Sequence, residues 1–178
     1  MKHTTWRRIA LSTIAAATAS TALTAAWSTG VAERDPVAPA LASPLYGVTL
    51  PQGFRQWPLI APALESEPLN ELRSVLANAT ALEAYRAGRL PFPDGSVLVK
   101  LAWKRVQSPD FEPASVPGAA TTVQVMVKDS TKYAATGGWG FGRFVDGRPA
   151  DLAQHETCFA CHAARVSQRD YVFTRLAP

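Results

Sequence analysis

The sequence predicts an α+β fold, mainly an antiparallel β-sheet with a few short helices, on three observations. Residues Ser96–Val106 alternate with period two: Val97, Val99, Leu101 and Trp103 fall on one side, Leu98, Lys100, Ala102 and Lys104 on the other. Thr121–Lys128 repeats the pattern, with Val123, Val125 and Val127 opposite Gln124 and Met126. Finally, 14 prolines and 11 glycines interrupt the chain too often for the long helices of an all-helical bundle.

The elements follow in order. Residues 33–50, with Pro36, Pro39 and Pro44, are expected to form a flexible N-terminal arm, and residues 51–178 one folded domain. Leu69–Asn78 carries the apolar run Val75-Leu76-Ala77 and predicts a strand. Thr80 and Glu83 have the spacing of a capping box, in which hydroxyl and carboxylate satisfy free N–H groups at a helix start. Leu82 and Tyr85 give that helix an apolar side, and Gly88 and Pro91 end it. The turn Pro93-Asp94-Gly95 leads into the strand at Ser96. Residues 107–120, with Pro109, Pro113, Pro117 and Gly118, predict a long surface loop. A turn or short helix over Asp129–Thr136 then reaches Gly137-Gly138 and an aromatic strand at Trp139, Phe141 and Phe144. Partly helical sequence follows, and Tyr171–Thr174 predicts a last strand.

The first 32 residues read as a targeting segment. Lys2, Arg7 and Arg8 precede an uncharged run, Ile9–Ala26, of alanine, leucine, isoleucine and small hydroxyl residues. That is the layout of a secretory signal peptide, with cleavage expected after Ala26 or Ala32. The rival reading, an uncleaved membrane anchor, fits less well because the run is only weakly apolar. Cleavage after Ala32 removes three of the 18 basic residues and none of the 14 acidic ones, so the mature chain is close to neutral. Nothing then argues for nucleic-acid binding. Export predicts a periplasmic location.

Both cysteines lie in one stretch, Cys158-Phe159-Ala160-Cys161-His162. C-x-x-C-H is the attachment motif of a c-type haem: two thiols add to the vinyl groups along one porphyrin edge, and the adjacent histidine falls beneath the iron. A thioredoxin-like dithiol would follow an early strand, and zinc would need two more ligands at suitable spacing. The expectation is one covalent haem c on Cys158 and Cys161, packed on the sheet, with His162 as the metal ligand. Neither Met nor His follows His162. Met126, His155 and Lys100 are poorly placed as a sixth ligand, so an open iron site is expected. Such a site favours binding or chemistry on a small molecule.

Several stretches together resemble the cytochrome P-460 and cytochrome c′-β family. They are Phe54-Arg55-Gln56-Trp57, Glu71-Leu72-Arg73, Phe92–Lys100, Val127–Ser130, Gly138–Gly142, Cys158–His162 and Asp170–Thr174. The resemblance implies a mainly antiparallel fold, frequently a homodimer, with one five-coordinate c-type haem. In cytochrome P-460 members it implies hydroxylamine oxidation and a covalent bond from a lysine to the porphyrin rim, here Lys100. In cytochrome c′-β members it implies nitric oxide or gas binding without catalysis. Oxidation of hydroxylamine also needs a base and a redox partner protein. The resemblance implies a distal carboxylate before the haem motif, where Asp151, His155 and Glu156 are the candidates. Arg73 reads either as a donor in the pocket or as a surface salt bridge. Simple electron transfer with Met126 or His155 on iron remains a third reading.

Overall fold

The structure is a computed structural model and describes residues 41–178; the expected signal peptide and residues 33–40 of the arm lie outside these residues. In chain order the elements are β1 (Leu59–Glu65), β2 (Glu71–Ala77), α1 (Ala79–Arg86), β3 (Val97–Gln107), β4 (Ser115–Lys128), β5 (Trp139–Val145), β6 (Arg148–Pro149) and α2 (Leu152–Val166). The strands form one antiparallel sheet in the order β1-β2-β3-β4-β5-β6, a meander in which each strand pairs with its sequence neighbour. The α+β expectation holds.

Several local expectations need correction. Residues 107–120 are not one long loop: β4 begins at Ser115, and Ser108 N–H closes the hairpin on Ala114 O at 3.0 Å. Pro117 and Gly118 are accommodated because the β3–β4 register shifts around Trp103. Gly118 also lies close to β3, where an added Cβ would meet a Val106 methyl at 2.7 Å. The cap of α1 is Asn78, not Thr80. Its Oδ1 accepts from the N–H groups of Ala81 and Val97, each at 3.0 Å, and its amide donates to Gly95 O at 2.8 Å. One side chain thus starts the helix and ties it to β3. Tyr171–Thr174 forms no strand, because Asp170 and Tyr171 turn the chain with φ values of 51° and 63°.

β1 carries Pro62, which removes a ladder donor and hid the strand from sequence reading; the residue is tolerated because β1 is the sheet edge. The described end of the expected flexible arm is docked. Ser43 Oγ donates to Phe141 O at 2.9 Å, and Val48 packs with Val99, Val125 and Phe144 on one face of the sheet.

The other face holds the larger core. Ile60, Val75, Ala77, Leu98, Trp139 and Phe141 pack there with Ala81 and Ala84 of α1 and Val172 of the C-terminal tail. Cys158 and Phe159 of α2 complete that cluster. The sheet is therefore covered on both sides, and Leu98 and Val99 are both buried although they point in opposite directions.

Candidate haem site

Helix α2 carries the motif. Asp151 caps it, its carboxylate accepting the Gln154 N–H at 2.9 Å. Cys158, Cys161 and His162 stand at i, i+3 and i+4, so all three leave one side of the helix. Both thiols are free, Cys158 half-buried and Cys161 exposed. Burial pushes the Cys158 thiol up, with Arg143 and Lys100 opposing it.

His162 is oriented from behind. Its Nδ1 lies 2.6 Å from Tyr171 O, which fixes the proton on Nδ1 and leaves Nε2 free. Phe141 and Phe173 flank the ring at 5.0 and 4.9 Å between centroids. Burial lowers the imidazole pKa, with the bond to Tyr171 opposing, so the neutral, metal-binding form is favoured.

The sheet face opposite is ordered by register. Ala77, Leu98, Met126 and Phe141 form an apolar row across β2 to β5. The next row is Val75, Lys100, Gln124 and Arg143, and beyond it lie Arg73, Ala102 and Thr122. Lys100 thus shares its face with Leu98 and Ala102, as strand period requires. Burial, with Arg73 and Arg143 adding to it, lowers its pKa to about 8; Glu71 and Cys158 act the other way. Arg143 has a buried Nε without a partner among the described residues. Arg73 is not free: it pairs with Glu65 and with Glu71, the latter through Nε at 3.0 Å and a terminal nitrogen at 2.7 Å. Glu71, itself buried, also accepts from the Thr121 hydroxyl at 2.7 Å.

The three candidates for a distal base are either engaged in holding the fold or exposed. Asp151 is the helix cap, and Glu156 is exposed on α2. His155 is wholly buried between α2 and β5: Nε2 accepts from Arg143 N–H at 3.1 Å, and Nδ1 lies 2.8 Å from Asp151 O. Nε2 joins the helix to the sheet, and Nδ1 is taken up by the first turn of α2 itself. Met126 packs in the apolar row with Phe141. The residues sequence reasoning missed are Gln124 and Arg143. Alternation put Gln124 on the same side of β4 as Met126, but only the β3–β4–β5 register brings it beside Lys100.

These residues fit a haem. Two free thiols and an imidazole with an uncommitted Nε2 share one helix side, and aromatic rings line the histidine. No curated protein matches the chain. The sequence model of the family described as Cytochrome P460 matches residues 51–174, which takes in every element from the 3-10 turn at Phe54–Gln56 to the tail beyond α2. A haem as cofactor and an α+β fold follow from that match, and the chain belongs to the cytochrome P-460 family.

Proposed function

We propose that this chain is an exported, periplasmic haem protein that oxidises hydroxylamine. In this reading Cys158 and Cys161 hold one haem c covalently, His162 is its axial ligand, and Lys100 is bonded to the porphyrin rim. The bound haem supplies an iron that accepts electrons from the nitrogen substrate, which then leave for a redox partner protein. A homodimer is the expected assembly.

Lys100 carries the reading. A lysine in mid-sheet, on the face that Cys158 and the other α2 residues pack against, is costly unless it has a task. With its pKa lowered to about 8, roughly a tenth of it is the free amine at pH 7, about 300-fold more than for an ordinary lysine. That is the nucleophilic form a bond to a ring carbon requires, the N–H and ring C–H hydrogens leaving as protons and two electrons passing to an external oxidant. The apolar row Ala77, Leu98, Met126 and Phe141 keeps water from one part of the face, while Lys100, Gln124 and Arg143 offer hydrogen bonds to a small polar substrate.

A second reading, nitric oxide binding without catalysis, is favoured by one observation. The neighbour of Lys100 on β4 is the neutral Gln124, and the buried carboxylate of Glu71 is already engaged by Arg73 and Thr121. Removing protons from hydroxylamine needs an acceptor, which a glutamine does not supply.

The absorption spectrum, peptide mapping by mass spectrometry and hydroxylamine consumption decide between the two. The first reading expects a haem absorbing far to the red of an ordinary c-type haem, joined to two peptides, one with Cys158 and Cys161 and one with Lys100. A haem joined to the cysteine peptide alone, with no hydroxylamine consumed, would leave the gas-binding reading.

A further inference from the structure

In the ion pair Lys128–Asp170, Asp170 stands next in sequence to Tyr171, whose carbonyl meets His162. Lys128 closes β4; its Nζ is 2.7 Å from Asp170 Oδ1, 3.0 Å from Gly137 O, and 5.0 Å from the centre of the Trp139 ring. The second oxygen of Asp170 accepts the Phe92 N–H at 2.8 Å. Both charged side chains are almost wholly buried, 6% and 8% exposed.

Asp170 and Tyr171 are consecutive non-glycine residues at φ 51° and 63°. That region is unfavourable for side chains with a Cβ and persists only where surroundings over-determine it. Here they do. The carboxylate of Asp170 is held by β4 and by Phe92, and Tyr171 N–H returns to Val166 O at 3.0 Å. The Tyr171 ring lies over Gly137, where an added Cβ would be 2.1 Å from it, and against Phe159 at 5.3 Å between centroids. The outcome is that Tyr171 O stands 2.6 Å from His162 Nδ1, short for such a bond.

We propose that Lys128 and Asp170 are positioning residues for the axial histidine. By pinning the left-handed turn they set the length and direction of the Nδ1–H···O=C bond, and through it the donor strength of Nε2. A stronger bond leaves more negative charge on the ring and favours the ferric iron. Stability alone is a weak account of the pair, since burying two charges offsets most of their attraction and an apolar pair of similar volume would serve. The inference rests on the reading of His162 as the iron ligand.

Asp170→Asn tests it, keeping the acceptor for Phe92 while removing the charge opposite Lys128. In the haem-loaded ferrous protein, resonance Raman spectroscopy should find the iron–histidine stretching band at lower frequency, and the reduction potential should rise. Lys128→Met should move both in the same direction, and Lys128→Arg, which keeps a cation, should stay near the wild type. Should Asp170→Asn not fold, Lys128→Met decides. A lowered unfolding midpoint with the band and potential unmoved means the pair is only structural, which overturns the inference. His162→Gly separates the two readings: loss of the band upholds the ligand assignment, whereas persistence of the band refutes that assignment and leaves Lys128 and Asp170 nothing to position.

Discussion

Lys100→Met in the haem-free chain, where the amine is unmodified, should make the protein more stable at pH 7 and remove a pH dependence. The folded-state pKa of about 8 against the ordinary 10.5 corresponds to a cost of about 3 kcal/mol for carrying the charge into the fold. Because the folded value is the lower one, the unfolded chain binds more protons between pH 8 and 10.5, so stability rises with pH across that window. Below pH 8 both states are protonated and the cost is present in full. The advantage of the variant should therefore be largest below pH 8, up to about 3 kcal/mol, and should vanish by about pH 10.5. Tyr46 and Tyr85, whose phenols burial pushes up, work against stability at high pH, so the quantity to read is the difference between wild type and variant. Urea denaturation followed by tryptophan fluorescence suits the purpose, because Trp139 is completely buried. Wild-type and variant stabilities that run parallel from pH 7 to 10 would refute the argument that Lys100 is held desolvated.

Replacing both Cys158 and Cys161 with Ser should abolish covalent haem retention by the cysteine peptide, and either single change should leave one thioether; denaturing gels stained for haem read this directly. His155→Ala should cost roughly 2–4 kcal/mol, by opening a cavity and leaving the Arg143 N–H and the Asp151 carbonyl without their imidazole partner. Urea denaturation measures it, and a variant of unchanged stability would mean that the imidazole does not join α2 to β5. Asn78→Ala should cost at least about 1 kcal/mol, since one amide caps α1 and bonds both Gly95 and Val97.

Much of the fold was legible because strand period survives in the side chains: β3 and the second half of β4 read directly from alternating residues, and β2 from its apolar run. Legibility ended where a tertiary partner overrode a local signal. Pro62 looks like a strand breaker until β1 is seen to be an edge. Thr80 and Glu83 imitate a capping box, but Asn78 wins because Val97 and Gly95 are within its reach. The proposed haem ligands are read from five consecutive residues, Cys158 to His162. Their supports are not: Tyr171 acts through a backbone carbonyl, which no side-chain motif records. His155 looked available for proton transfer because sequence does not reveal that Arg143 N–H and Asp151 O occupy its ring.

The row Val75–Lys100–Gln124–Arg143 turns the choice between catalysis and gas binding into a question about protons. Oxidising hydroxylamine to nitric oxide releases three protons with three electrons. Arg143 repels a proton, the Lys100 nitrogen is taken up by its bond to the porphyrin rim in the proposed active state, and Gln124 does not hold a proton at neutral pH. Glu71, at the far end of the same face, is committed to Arg73 and Thr121. Proton removal on this face must then rely on water or buffer unless a carboxylate is introduced. Gln124→Glu should place one beside Arg143, whose charge keeps it ionised and ready to accept a proton. A gain of roughly tenfold or more in hydroxylamine turnover is expected, within the range general bases contribute, together with a weaker dependence on buffer concentration. Steady-state rates at several buffer concentrations measure both. If the variant keeps its haem and fold but oxidises hydroxylamine no faster, proton removal is not what limits this site.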